Sequence, residues 1–226
     1  MPETELSYMW SPWLEAKQYP WEQVLHLGSK KQFVSNCVIL ESGELVKELY
    51  YLQKGTVKFV SINAQGEEKI IWYITAGNVF GEVPFVDGVK SDSYFVTEED
   101  CVVYTFNKQT VMEDILPNHP DIMKNLLYTM SKKVRILTGQ INDLSLSTPK
   151  MRVYKMLYHL FSTNNNKGLC ISQQELASLL GIHRVTLNQI LTGLKKQGVI
   201  QHDSRKRRII IARATDLLRL IEQEQS

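Results

Sequence analysis

The longest regular pattern in the chain is a stripe of apolar residues between Asp121 and Leu144. Its members are separated alternately by four and three residues, a spacing that favours two helices wound around each other. Prolines flank the stretch on both sides, and none lies inside it. We predict a long dimerisation helix over residues 118–147, although a helix packed only on its own domain is the alternative. The stripe consists of Met123, Leu127, Met130, Val134, Leu137, Ile141 and Leu144.

Before this helix, short runs rich in β-branched and aromatic residues alternate with glycines. This pattern is typical of a compact antiparallel roll, which needs glycines where the chain turns its corners. A polar segment, Asn63–Gly66, predicts a hairpin loop between two of the runs. The predicted strands are Phe33–Leu40, Glu48–Gln53, Val57–Asn63, Glu68–Ile74 and Cys101–Phe106.

After the long helix, the pattern predicts a small helical domain. Ser172 and Glu175 have the spacing of a capping box at the start of one helix. Gly181 provides a turn, and a second helix follows from His183 until Gly198 ends it. The stretch 201–211 predicts a β-hairpin with a basic tip. Together these elements predict a winged helix-turn-helix, the arrangement of many DNA-binding domains.

The distribution of charge supports a polyanion partner for this last domain alone. The net charge is only +2, but residues from Pro149 onward carry 13 Lys/Arg and 5 Asp/Glu, while the remainder has a net charge of −6. Three widely spaced cysteines argue against a disulfide framework and suit a reducing cytosol. No apolar run is long enough to span a membrane, and no secretory signal is present. We therefore expect a cytoplasmic protein with no membrane association.

Two motifs in the roll carry a family resemblance. The segment 50–58, YYLQKGTVK, resembles a corner of a cyclic-nucleotide-binding β-roll, and 76–82, AGNVFGE, resembles the G-x-x-F-G-E turn of that fold. With the long helix and the winged domain, the match is to the CRP/FNR superfamily of bacterial transcription regulators. The resemblance implies an α+β homodimer that binds double-stranded DNA and a small effector, works with RNA polymerase and is not an enzyme. We expect an activator, with repression as the alternative. We expect a roll over 1–117, the dimerisation helix over 118–147 and the DNA-binding domain over 148–226.

The phosphate-binding part departs from the cyclic-AMP receptors. The Arg-Ser or Arg-Thr pair of those proteins corresponds here to Ser91 and Asp92, and no arginine lies between Gly81 and Cys101. The thiolates of an iron–sulfur sensor and the clustered histidines of a metal enzyme are absent. A haem sensor of the family uses a histidine where Val83 stands. We therefore expect no cofactor and no metal. A regulator that responds to cyclic nucleotide or redox state remains the alternative.

The residues left for an effector site are mainly apolar and aromatic, which suits a small, flat, weakly polar compound. The segment 183–186 resembles the CprK-type subgroup, whose members regulate respiration with halogenated aromatic compounds. Lys133 is most simply a solvated lysine, but it can also reach an anionic group of an effector. Cysteines are expected to be buried fillers. The candidate effector residues are Tyr73, Gly81, Glu82, Val83, Phe85, Tyr94 and Lys133.

The second helix of the winged domain supplies the candidate DNA-reading residues. Its leucines must pack inward, so other side chains face outward. Arg184 can bind guanine or phosphate, and Val185 can contact a thymine methyl. The side-chain amides of Asn188 and Gln189 match the major-groove edge of adenine. We therefore predict an A·T-rich inverted repeat. The base-reading candidates are Arg184, Val185, Asn188 and Gln189. The phosphate-binding candidates are His183, Thr186, Arg205, Lys206, Arg207 and Arg208.

Overall fold

The computed structural model describes residues 10–91, 93–163, 171–203 and 208–225. The chain forms two compact units. One unit runs from Pro12 to Leu137. The other runs from Thr138 to the end of the chain and also includes Trp10 and Ser11. The candidate residues Arg205, Lys206 and Arg207 lie outside the described residues.

The first unit is a roll of two sheets. The five-stranded sheet has the order β1-β6-β5-β8-β3, in which only the β1–β6 pair is parallel. Its strands are β1 (Trp13–Leu14), β3 (Val38–Leu40), β5 (Thr56–Ile62), β6 (Glu68–Thr75) and β8 (Ser93–Thr97). The four-stranded antiparallel sheet has the order β2-β9-β4-β7. Its strands are β2 (Ser29–Phe33), β4 (Glu48–Lys54), β7 (Val79–Phe80) and β9 (Cys101–Asn107). A 3-10 helix spans Pro20–Leu27.

Local side-chain chemistry explains how the strands are connected. The predicted hairpin at Asn63 is confirmed: its Oδ1 accepts hydrogen bonds from the backbone N–H groups of Gln65 and Glu67, which closes the loop. The single strand predicted over Phe33–Leu40 is wrong. Asn36 adopts a φ of +59°, and this left-handed turn sends the chain from one sheet to the other.

The first unit also contains a π-helical turn, two short helices and the first part of a long helix. Helix α1 spans Glu82–Asp87, the π-helical turn spans Thr110–Ile115, and α2 is the short segment Leu116–Asn118. Helix α3 spans Pro120–Leu146, which confirms the predicted long helix, and it crosses from the first unit into the second after Leu137. Its pairing with a second copy stays a prediction.

The second unit contains the C-terminal domain. Its helices are α4 (Pro149–Thr163), α5 (Gln173–Leu180), α6 (Arg184–Lys196) and α7 (Ala214–Gln225), and its antiparallel strands are β10 (Ile200–Asp203) and β11 (Arg208–Ile211). The capping box is confirmed, because Ser172 Oγ accepts from the Glu175 N–H and Glu175 Oε2 accepts from the Ser172 N–H, each at 3.1 Å. Gly181 caps α5 with a φ of +60°, as a tight turn between two helices requires.

Candidate functional site

A cavity of about 530 Å³ opens in the first unit, beside the turn that joins β7 to α1. Gly81 makes this turn with a φ of +75°, a conformation that strains any residue with a Cβ. The volume falls in the range of sites for small organic ligands. Strands β5, β6 and β8, helix α1, the loop that follows it and helix α3 all contribute side chains. The lining residues are Phe59, Trp72, Gly81, Glu82, Val83, Pro84, Asp87, Val89, Lys90, Ser91, Phe95, Met130, Lys133, Val134 and Leu137.

One wall of the cavity is aromatic. The Phe59 ring stacks on Trp72 and packs on Phe95, each at 4.7 Å between ring centroids. The row continues through Phe80, 5.1 Å from Phe95, to Tyr50, 5.2 Å from Phe80. We call these five residues the aromatic row. Of the row, Phe59, Trp72 and Phe95 line the cavity. The Trp72 and Phe95 rings are inclined to the Phe59 ring by 29° and 31°, so together they can pack against an aromatic ligand.

The polar part of the cavity is a buried ion pair. Lys133 Nζ lies 2.7 Å from Glu82 Oε1 and 3.3 Å from the Val79 carbonyl oxygen, and it sits over the Trp72 ring at 5.9 Å. The Lys133 and Glu82 side chains are only 5% and 9% exposed. The expectation of a solvated Lys133 is therefore wrong. The partner that explains its burial is on α1, a helix that was not predicted.

The structure brings together four of the seven candidate effector residues. Gly81, Glu82, Val83 and Lys133 line the cavity. The other three lie elsewhere. Tyr73 stacks on Trp13 at 5.2 Å, Tyr94 donates a hydrogen bond to Glu68, and Phe85 is buried with its carbonyl accepting from Lys108. Alternation along β6 and β8 explains two of these, because neighbouring side chains point to opposite faces. Trp72 and Phe95, the neighbours of Tyr73 and Tyr94, line the cavity instead.

Helix α6 presents the candidate DNA-reading face. Leu187, Leu191 and Leu194 are buried, and Ile190 is half-buried. The base-reading candidates Arg184, Val185, Asn188 and Gln189 are all exposed, as is His183, while Thr186 is half-buried. Val185 is 68% exposed, so its methyl groups are accessible to a partner. The Arg208 side chain, like the three basic residues before it, is outside what the structure describes.

A polar cluster that the sequence did not reveal lies at the end of α3. Asp143 accepts a hydrogen bond from Trp10 Nε1 at 2.7 Å and forms an ion pair with Lys155 at 3.0 Å. Ser147 Oγ joins it, 3.2 Å from Asp143 and 3.1 Å from Lys155 Nζ. Gly139 lets the indole approach, since a Cβ there would lie 2.6 Å from the Trp10 Cβ. We call Trp10, Asp143, Ser147 and Lys155 the Asp143 cluster.

The cysteines differ in their surroundings. Cys101 is buried and burial raises the pKa of its thiol, whereas Cys37 is half-buried, so the expectation of a buried filler is wrong for Cys37. Cys170 lies outside the described residues. Within the described ranges, no group of three or more His, Cys, Asp and Glu side chains is placed to hold a metal ion. No helix there is long and apolar enough to cross a membrane.

A β-roll, a long helix and a C-terminal helix-turn-helix define a class of DNA-binding regulators, and comparisons with known proteins agree. Residues 30–116 match the family model of the cyclic nucleotide-binding domain, and residues 151–220 match that of the Crp-like helix-turn-helix domain. The cAMP-activated global transcriptional regulator CRP of Pasteurella multocida is 24% identical over 176 residues, which cover 75% of this chain and 84% of the relative. The Cyclic AMP receptor protein of Thermus thermophilus is 24% identical over 163 residues, 72% of this chain and 75% of the relative.

Two solved structures show the same fold. The c-di-GMP-responsive global regulator CLP of Xanthomonas campestris has a TM-score of 0.77 and 19% identity, covering 85% of this chain and 97% of that one. CprK in complex with OCPA has a TM-score of 0.75 and 18% identity, covering 92% of this chain and 97% of that one. The chain belongs to the CRP/FNR superfamily of DNA-binding transcription regulators. It is a regulator with an effector-binding domain and not an enzyme.

Proposed function

We propose that the protein is a homodimeric regulator whose affinity for DNA is controlled by a small aromatic effector in the cavity of the roll. One observation carries the proposal. Met130, Val134 and Leu137 belong to the apolar stripe of α3 and also line the cavity. A molecule in the cavity therefore touches the same helix that a second copy would pair with. Such a contact gives the effector a route to different affinities for two states of the dimer.

The apolar stripe supports the dimer. Leu127, Val134 and Ile141 are 62%, 61% and 62% exposed in the single chain. Solvent-exposed aliphatic residues repeated along one face of a helix match the seam of a coiled coil. We infer that two copies pair through this stripe, which makes α3 the dimerisation helix of residues 118–147.

Helix α6 is proposed as the recognition helix. Its outward residues can donate to and accept from base edges in the major groove, and Val185 can contact thymine methyl groups. Two recognition helices related by the dimer axis would read an A·T-rich inverted repeat, with half-sites about one turn of DNA apart. The basic residues near 205–208 would contact phosphates. We further propose that the dimer acts in the cytoplasm as an activator that contacts RNA polymerase.

The chemistry of the cavity favours an aromatic effector over a cyclic nucleotide. No arginine lines it, so the bidentate guanidinium that suits a cyclic phosphate is absent from the described lining. Three members of the aromatic row, Phe59, Trp72 and Phe95, instead line the cavity and can pack against an aromatic ring. CprK, a protein of the same fold, is described in complex with OCPA, and we propose a CprK-like regulator here. The likeness concerns the fold and not the charge of the effector.

A DNA-binding titration tests the proposal. Fluorescence anisotropy with an inverted A·T-rich repeat is measured at fixed salt, with and without aryl compounds and cyclic AMP. We expect an aryl compound to shift the affinity and cyclic AMP to leave it unchanged. Gln189→Ala should relax the sequence preference, whereas Lys195→Ala, in the last turn of α6, serves as a control for loss of charge alone. Equal affinity with every compound would refute the sensing role.

A further inference from the structure

The cavity carries information about the polarity of the molecule it accepts, and this inference rests on the proposed function. Two polar atoms of its lining residues are buried and have no hydrogen-bond partner among the described residues: Trp72 Nε1 and Glu82 Oε2. Both residues are 7% exposed. A buried donor or acceptor that is left unpaired costs free energy, so a ligand that pairs with both gains affinity.

The two unpaired atoms demand opposite partners. An indole N–H only donates, and a carboxylate oxygen only accepts. Lys133 Nζ lies 2.7 Å from Glu82 Oε1 and 5.9 Å from the centre of the Trp72 ring, so both residues border the same lysine in the lining of the cavity. A hydroxyl group both donates and accepts, so a ligand with a hydroxyl, or with a donor next to an acceptor, offers a suitable partner to either atom.

The charges of the lining argue against an anion. Glu82 already neutralises Lys133, and the exposed charges near the opening, Asp87 and Lys90, are also balanced. An anionic ligand would have to displace the carboxylate or lie beside it in a buried site, where repulsion is weakly screened. We propose that the cavity selects an uncharged, flat aromatic compound with a hydroxyl-type group, and that the Glu82–Lys133 ion pair excludes carboxylates and phosphates.

Three naphthalene probes of similar size test this polarity. 2-Naphthol donates and accepts while uncharged, 2-methoxynaphthalene only accepts, and 2-naphthoate is an anion. Isothermal titration of the full-length protein should give the tightest binding for 2-naphthol. Loss of a hydrogen bond to a buried charged group predicts about tenfold weaker binding of 2-methoxynaphthalene. We expect 2-naphthoate to bind more weakly still.

Two variants distinguish this polar recognition from binding in a general apolar pocket. Glu82→Gln keeps the shape but leaves Lys133 without its anion, so the preference should shift toward 2-naphthoate. Trp72→Phe keeps an aromatic ring and the ion pair but removes the donor, so binding of 2-naphthol should weaken several-fold. Circular dichroism melts check that each variant is folded. If Glu82→Gln does not fold, the Trp72→Phe variant still provides the test.

The inference is overturned if 2-naphthoate binds the wild-type protein as tightly as 2-naphthol, or if 2-naphthol does not bind. It is also overturned if folded Glu82→Gln keeps the wild-type order of the three probes. The proposed function fails separately, when the wild-type protein neither dimerises nor binds the inverted repeat.

Discussion

Replacing Leu127 by Ala tests whether the apolar stripe of α3 joins two copies. Leu127 is 62% exposed in the single chain. Full burial of a leucine stabilises by about 1.5–3 kcal/mol, so covering this exposed fraction is worth roughly 1–2 kcal/mol per copy. Both copies contribute, and the change should weaken the dimer by about 2–4 kcal/mol. That corresponds to an increase in the dimer dissociation constant of about thirtyfold or more.

Sedimentation equilibrium over a wide range of protein concentrations measures this dissociation constant. Leu45→Ala is the matched control, because Leu45 is 51% exposed and lies off the stripe. The control should leave the dimer unchanged, and both variants should keep the wild-type helical content. A Leu127→Ala protein that dimerises as tightly as wild type would refute the assignment of the seam to α3. A shift of equal size in the control would show that the effect is not specific to the stripe.

Three further outcomes are expected. Trp10→Phe removes the donor to Asp143 and should lower the stability of the C-terminal unit by about 1.5–3 kcal/mol in urea unfolding, since that hydrogen bond is to a charged group. Cys101 should react with iodoacetamide far more slowly than Cys37 in the native protein, because burial raises the pKa of its thiol. Arg184→Ala should cost about 1–3 kcal/mol of discrimination at the base that Arg184 contacts, measured by anisotropy on single-site operator variants.

For each of these three predictions, one specific result would contradict it. Asp143→Asn keeps a hydrogen-bond acceptor for the indole, so a Trp10→Phe change in that background should cost less, and an equal cost would argue against the contact. Because the folded Cys101 pKa is raised, its contribution to stability is full below the ordinary thiol pKa and lost as the pH rises above it. Stability that rises there would contradict burial of the thiol. An equal loss of affinity for all operator variants would show that Arg184 contacts a phosphate and not a base.

The helical half of the fold could be predicted from local signals. The four-three spacing predicts α3, and the Ser172 and Glu175 pair predicts the start of α5, because the residues that specify a helix and its ends are close in the chain. The roll was predicted less completely. The predicted strands do not include β1, β7 or β8, helix α1 is not predicted, and one predicted strand crosses the turn between β2 and β3. Strand partners are distant in sequence, and a left-handed residue at Asn36 gives a weak local signal.

The sequence by itself determined the class of the protein: the order of roll, long helix and basic helix-turn-helix follows from patterns that each segment carries alone. Only the tertiary structure decided which side chains share the cavity. The ion pair of Glu82 and Lys133 joins residues that are 51 positions apart, and Trp72 rather than Tyr73 faces the cavity. Those choices depend on strand register and on packing between distant elements, and the pattern of apolar residues along one segment cannot encode them.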